Sequence, residues 1–262
     1  MLSVRGLECR LAGRPVLQQI DLDILPGEVL AVLGPNGAGK SSLLRVLAGE
    51  LHWSAGTVAY ADQPLRQLRP RQVAALRAVL PQQLPQLAGL SVAQVVALGC
   101  AAHAPAQRGN EAALVQAALA SLDAAHLAQR DIGSLSGGEC QRVHLARAWA
   151  QLSGSTAAEK YLLLDEPTTG LDPAHQLQLL ACARDAAHRH GWGVVMVLHD
   201  LNLAAAHADR VALLQDGRVL ACDAPQQAID ADLLTALYGM PLQVLAHPLA
   251  PARPLVVFPV AG

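Results

Sequence analysis

An α/β fold built on a parallel sheet is predicted by three features of the chain. Short unbroken apolar runs recur at Val29–Leu33, Tyr161–Leu164 and Val194–Leu198, each with the length and composition of a strand buried on both faces. Each run ends abruptly in polar or glycine-rich residues, where a loop belongs: Gly34 to Ser41, Asp165-Glu166 and His199-Asp200. Between the runs lie segments with apolar residues at helical spacing. The chain has 262 residues, of which 52% are apolar, enough for a sizeable core and against disorder.

In order, the first 30 residues read as antiparallel strands. Ile20-Asp21-Leu22-Asp23-Ile24 alternates apolar and charged, the period of a half-exposed strand, and Pro26-Gly27 turns the chain into the first buried run. A helix is expected from Ser42 to Ala48, and short strands at Gly56–Tyr60 and Arg77–Leu80. Residues 91–102 read as an Ala/Val helix and 111–128 as an Ala/Leu helix. A helix follows Leu135-Ser136-Gly137-Gly138-Glu139 with Val143, Ala146 and Ala150 on one face, and another spans 174–190. Val211–Leu214 and Arg218–Leu220 flank Asp216-Gly217, a hairpin signal, and a closing strand pair is expected after Pro241. No internal repeat is evident.

Composition narrows the function classes. A net charge of −2 gives no electrostatic case for nucleic acid. No run approaches the ~18 apolar residues of a membrane span, and Arg5, Glu8 and Arg10 interrupt any signal core, so a cytosolic protein is expected. The five cysteines are scattered without a C-x-x-C pair and read as buried apolar thiols rather than disulfides or zinc ligands. From Ala78 to Gln107 no charged residue occurs if His103 is neutral, and Pro81, Pro85, Gly89 and Pro105 break the stretch. It is either a buried helix with flanking loops or a surface that docks on another protein, since interface cores are poor in charge.

Gly34-Pro35-Asn36-Gly37-Ala38-Gly39-Lys40-Ser41 is G-x-x-x-x-G-K-S, the phosphate-binding loop, set between a strand and a helix. Its glycines let backbone N–H groups curl inward, and the helix adds the positive end of its dipole. Lys40 would reach the β- and γ-phosphates of a nucleoside triphosphate and the Ser41 hydroxyl would ligate Mg²⁺. Asp165, at the carboxyl end of a parallel strand, would sit near that ion, and Glu166 would polarise an attacking water. Without the loop, the pair would read as a helix cap ahead of Pro167. His199, at the same sheet edge, could bond the γ-phosphate or the water, although a lone histidine at a strand end is often structural. Ser136, Gly137 and Gly138 make either an N-capped helix or a second phosphate site. A second site beside a single Lys-bearing loop fits a head-to-tail dimer whose partner supplies the lid.

Together these residues resemble the ABC-transporter ATPases over nearly the whole chain. Gly34 to Ser41 is similar to the Walker A loop, Leu162 to Glu166 to Walker B, Leu135 to Glu139 to the signature segment, Thr169-Gly170-Leu171-Asp172 to the D-loop and His199 to the switch histidine. In Val79-Leu80-Pro81-Gln82-Gln83, Gln82 falls at the Q-loop glutamine. The resemblance implies a P-loop NTPase (RecA-like) core with an N-terminal antiparallel β-subdomain and an inserted helical subdomain. It implies one domain over 1–262, with core and β part at about 1–84 and 160–262 and the helical part at about 85–159. It implies ATP and Mg²⁺ as ligands. ATP would be held by Gly34 to Ser42, and in trans by Ser136, Gly137 and Gly138. Mg²⁺ would be held by Ser41, Gln82 and Asp165, with Glu166, His199, Gln82 and Lys40 catalytic. The implied partners are a second copy, a transmembrane permease dimer docking near the Q-loop and, indirectly, a periplasmic substrate-binding protein, at the cytoplasmic face of the bacterial inner membrane.

One departure is the absence of an aromatic residue between 5 and 16 for stacking on adenine; Cys9, Arg10 or Leu11 occupies that neighbourhood, and Arg10 could stack its guanidinium. Within the family, Leu171 to Gln176 and Leu198 to Ala204 resemble ATPases of importers of haem, ferric siderophores and cobalamin. The polar insert Ser153 to Lys160 and the ending Leu242 to Pro248 are similar to the haem branch. That implies an ATP-hydrolysing importer subunit for haem, with siderophore or cobalamin import, or a soluble non-transport ATPase, as alternatives. None of the ten histidines needs to touch haem.

Overall fold

The chain begins with two antiparallel strands, β1 (Leu2–Leu11) and β2 (Arg14–Ile24), and the alternation expected over residues 20–24 is observed: Ile20, Leu22 and Ile24 are buried while Asp21 is exposed. The computed structural model describes residues 1–103 and 110–259. β4 (Ala55–Tyr60) and β5 (Gln63–Pro64) complete a four-stranded antiparallel sheet in the order β2-β1-β4-β5.

The apolar runs form the centre of a second sheet. Its strands are β3 (Val29–Leu33), β6 (Arg77–Leu80), β7 (Tyr161–Asp165), β8 (Gly193–Val197), β9 (Arg210–Gln215) and β10 (Arg218–Asp223). The order is β10-β9-β3-β8-β7-β6, parallel except for the antiparallel edge strand β10. Every residue of β3, β7 and β8 is buried, because both faces of the sheet are covered. Successive side chains point to opposite faces, and the two cores divide accordingly. Val29, Ala31 and Leu33 join one hydrophobic cluster, Leu30 and Val32 the other. The second cluster lies between the sheet, helix α1 (Lys40–Leu47) and the antiparallel strands, with Leu43, Leu44, Val46 and Leu47 turned inward. Helix α2 (Pro70–Leu76) adds Val73 to that second cluster. The first is covered by α3 (Val92–Ala97), α4 (Glu111–Ser121), α5 (Gly137–Ser153), α6 (Pro173–His188), α7 (Leu201–His207), α8 (Pro225–Ala228) and α9 (Ala231–Tyr238).

Several expected boundaries move. Helix α1 starts at Lys40, two residues before the expected Ser42, because Gly39 (φ 102) reverses the chain and accepts the Leu43 N–H at its carbonyl. The helix expected over 91–102 tightens to a 3-10 turn at Leu98–Ala102, where Gly99 lies against α5; a Cβ there would sit 2.2 Å from the Arg147 carbonyl oxygen. The helix expected over 111–128 ends at Ser121. Asp123 turns left-handed (φ 50), which lets Leu122, Ala124 and Leu127 all reach the core. Cys9 and Cys100 are buried as expected, but Cys140, Cys182 and Cys222 are only half-buried. In the uncharged stretch, Leu87 and Leu90 are half-buried against the core; Pro105 and Gln107 lie outside the described residues. The closing pair is the ribbon β11 (Gln243–His247) and β12 (Ala250–Val257). No helix among the described residues is long and apolar enough to cross a membrane.

Candidate active site

The parallel strands of the second sheet deliver their carboxyl ends to one edge, where a crevice is expected in such sheets. After β3 the chain wraps into the glycine-rich loop. Two of its glycines are required by contact: a Cβ on Gly34 would sit 2.1 Å from the Leu214 carbonyl oxygen, and one on Gly39 2.6 Å from that of Val16. Gly37 has open space around it and is needed only for its φ of 82. The Lys40 side chain is buried and folds back over the loop, donating from Nζ to the carbonyls of Gly34 (2.8 Å) and Pro35 (3.0 Å). Burial pushes its pKa down, while Glu166 and Asp165 pull it back up. Asn36, Gly37, Gly39, Lys40, Ser41 and Ser42 line a cavity of about 280 Å³, closed by Val16 and Glu166.

The ends of β7 and β8 supply the acids and the histidine. Ser41 Oγ donates to Asp165 Oδ1 at 3.0 Å. Burial raises the Asp165 pKa, as does Glu166; the Ser41 hydrogen bond, Lys40 and His199 oppose the rise. Glu166 leaves the strand with φ 49, a left-handed conformation that costs about 1–2 kcal/mol, while its N–H still donates to Val197 O at 3.2 Å. That turn sets its carboxylate between three partners. Gln82 Nε2 donates to Oε2 at 2.7 Å, His199 Nε2 lies 2.6 Å from Oε1, and Thr169 Oγ1 donates to Oε2 at 3.4 Å. The structure therefore brings together Lys40, Ser41, Asp165, Glu166, Gln82 and His199, although Gln82 and Glu166 are 84 positions apart.

Ser136, Gly137 and Gly138 are not among the residues lining this cavity. Ser136 caps α5: its Oγ accepts the Glu139 N–H (3.3 Å) and donates to Glu139 Oε2 (2.8 Å), and its own N–H donates to the same carboxylate oxygen (2.8 Å). These bonds hold the Glu139 carboxyl below its usual range. Gly137 faces open space, and Gly138 packs on Leu171 of the loop after β7. Arg10 is exposed and bends onto the Gly13 carbonyl (3.3 Å).

Sequence reasoning missed Thr169 as a partner of Glu166 and the clamp made by Asn202. The Asn202 amide pairs both ways with the Val256 backbone (2.7 and 3.0 Å), fastening the ribbon to the helix that follows His199. The only sequence signal for Asn202 was its place in Leu198 to Ala204.

A family profile described as ABC transporter matches residues 17–169. The chain is 46% identical over 250 residues to the hemin import ATP-binding protein HmuV of Gloeobacter violaceus, covering 95% of this chain and 90% of that one. It is 47% identical over 258 residues to the protein of the same name from Pseudomonas entomophila, covering 98% and 99%. Among solved structures, an inward-facing ABC transporter of metal-chelate type superposes with a TM-score of 0.81 at 29% identity, covering 98% of this chain and 96% of that one. A dimeric ATP-binding cassette bound to ADP and phosphate shares the fold, with a TM-score of 0.74 at 22% identity over 86% of this chain and 98% of that one. The chain belongs to the ABC transporter family, as one of its ATP-binding cassettes.

Proposed function

We propose that this protein is the ATP-hydrolysing subunit of an importer that carries haem (hemin) across the bacterial inner membrane. The observation that carries the catalytic part is the meeting of Lys40, Ser41, Asp165, Glu166, Gln82 and His199 at one sheet edge beside the glycine loop. The cargo rests on relatives named for hemin import that align over nearly the full length.

In this reading the N–H groups of Gly34 to Ser42 and the Lys40 ammonium bind the triphosphate. The carboxylate of Glu166 takes the proton of the attacking water, and His199 holds that carboxylate and the γ-phosphate in register. Ser41, Asp165 and Gln82 offer hard oxygen donors suited to Mg²⁺, which keeps most of its other positions for phosphate and water. The fit is supported by Asp165, a buried carboxylate at the mouth of the loop whose hydrogen bond is to the Ser41 hydroxyl and whose charge is offset in part by Lys40 and His199. Mg²⁺, when bound, neutralises charge on the β- and γ-phosphates. Ser136, Gly137 and Gly138 close over the nucleotide of a second, head-to-tail copy. A permease dimer docks near Leu84 to Ala88, where a groove of about 310 Å³ opens beside Ile132 and Cys140, and holds the cassette at the cytoplasmic face. A periplasmic binding protein delivers cargo from the other side. Nucleic acid has no role in this scheme.

Co-purification with the permease and transport in vesicles is the decisive experiment. ATP-driven haem uptake is expected; uptake of a ferric siderophore or cobalamin instead would reassign the cargo. Recovery in the soluble fraction whether or not the permease is present would favour a soluble non-transport ATPase. Charged residues at Leu87 or Leu90 should block assembly, and normal transport by such variants would remove the docking assignment.

A further inference from the structure

The turn Asp216-Gly217, between β9 and β10, reaches back to the phosphate loop from the far end of the chain. Both residues are left-handed (φ 48 and 74), as a two-residue hairpin turn requires. The Gly217 N–H donates to the Ala38 carbonyl at 3.0 Å, and the Gln18 N–H of β2 donates to the Gly217 carbonyl at 2.7 Å. Gln18 Nε2 donates to the Asp216 carbonyl (2.9 Å), and Arg218 Nη2 donates to Gln18 Oε1 (3.2 Å). No side chain fits between these backbones. A Cβ on Gly217 would sit 2.6 Å from Val16 O and 2.9 Å from Val16 C; one on Gly39 would meet the same Val16 oxygen at 2.6 Å and Gly217 Cα at 3.6 Å. The end of β9 also touches the loop, through the Leu214 carbonyl against Gly34.

Gly217 does not line the nucleotide cavity, so it acts through the loop. The carbonyl of Ala38 and the N–H of Gly39 belong to one planar trans peptide and point in opposite directions. A donor that holds the Ala38 carbonyl outward therefore turns the Gly39 N–H inward, toward the space where a phosphate would lie.

We propose that Gly217 is a positioning residue for nucleotide binding: the β9–β10 turn, wedged between β2 and the loop, sets the orientation of the Ala38–Gly39 peptide. The proposal rests on the ATPase reading above and adds a residue from outside its motifs. Gly217→Ala pushes the turn off Val16 and breaks the bond to Ala38. It should raise the Kd for MgATP by roughly tenfold while kcat at saturating ATP stays within about twofold. Gln18→Ala removes only the two side-chain bonds to the turn and should raise Kd by roughly threefold, without the risk of misfolding. Gly191→Ala is the control for left-handed strain alone, since Gly191 has φ 70 with nothing within 4 Å. It should lower Tm and leave Kd unchanged. Titration of MgATP against the full chain, with Tm measured alongside, reads all three. Wild-type binding matched by both Gly217→Ala and Gln18→Ala overturns this proposal alone. Failure of the wild-type chain to bind ATP overturns the ATPase reading, and this proposal with it.

Discussion

The two glycine-serine segments of this protein are finished to different degrees. At the phosphate loop, the hydroxyl of Ser41 is turned to Asp165, 124 positions away, and the Lys40 ammonium is bonded to the loop it serves. At the start of α5, the hydroxyl of Ser136 is bonded to Glu139, three positions along its own helix. The first segment is locked by tertiary contacts around a cavity. The second is a self-capped helix end whose Gly137 faces open space. In the reading proposed above, the first is the cradle for one nucleotide and the second the lid for the nucleotide of another copy.

Breaking the cradle should have the largest effect. Glu166→Gln keeps the shape but removes the base: hydrolysis should fall by about 10²–10⁴, with ATP still bound and a closed dimer trapped, read by turnover and size-exclusion chromatography. Unchanged turnover would remove Glu166 as the base. Lys40→Ala should cost roughly a hundredfold in ATP affinity by losing charge-assisted bonds to phosphate, measured by nucleotide titration.

The lid should respond differently. Ser136→Ala should reduce turnover by roughly tenfold and cost about 1 kcal/mol of helix capping, while a monomer's affinity for ATP is unchanged. A matching loss of monomer affinity would place Ser136 in the same half-site as Lys40 and erase the contrast.

Two smaller effects concern stability. The pKa of Asp165 is raised by burial, so the native state holds its proton more tightly than the unfolded chain. Stability without ligand therefore falls as pH rises from the ordinary carboxylate range to the raised value. Asp165→Asn should lift the ligand-free Tm by about 2–4 °C and flatten that slope in calorimetry, while abolishing Mg²⁺-dependent turnover. His144, on α5, is fully buried, and neither ring nitrogen makes a well-formed hydrogen bond among the described residues; burial, helped by Arg147, lowers its pKa to about 4 against a weak opposing contact with the Pro85 backbone. Its sign is opposite: the native state refuses a proton that the unfolded state accepts. Stability is complete above pH 6.5 and declines as pH falls toward 4. His144→Leu should remove that decline and add about 1 kcal/mol, read by denaturant unfolding at both pH values.

What the sequence determined by itself was local. Period-two alternation marked β2, unbroken apolar runs marked β3, β7 and β8, and Gly-Lys-Ser marked the phosphate loop, because each depends on residues within one turn or one strand. An N-cap at Ser136 was equally visible as one of two readings; its reciprocal pairing with Glu139 is seen only in the structure. Only the tertiary structure decided the order β10-β9-β3-β8-β7-β6, which carries Asp165 to Ser41 and His199 to Glu166. It also decided that α4 stops at Ser121, where turning the chain buries Leu122 and Leu127, and that Gly217 bonds to Ala38. Hydrophobic periodicity specifies which face of an element is buried; it carries no information on which element covers that face, and these contacts are set by that choice of neighbour.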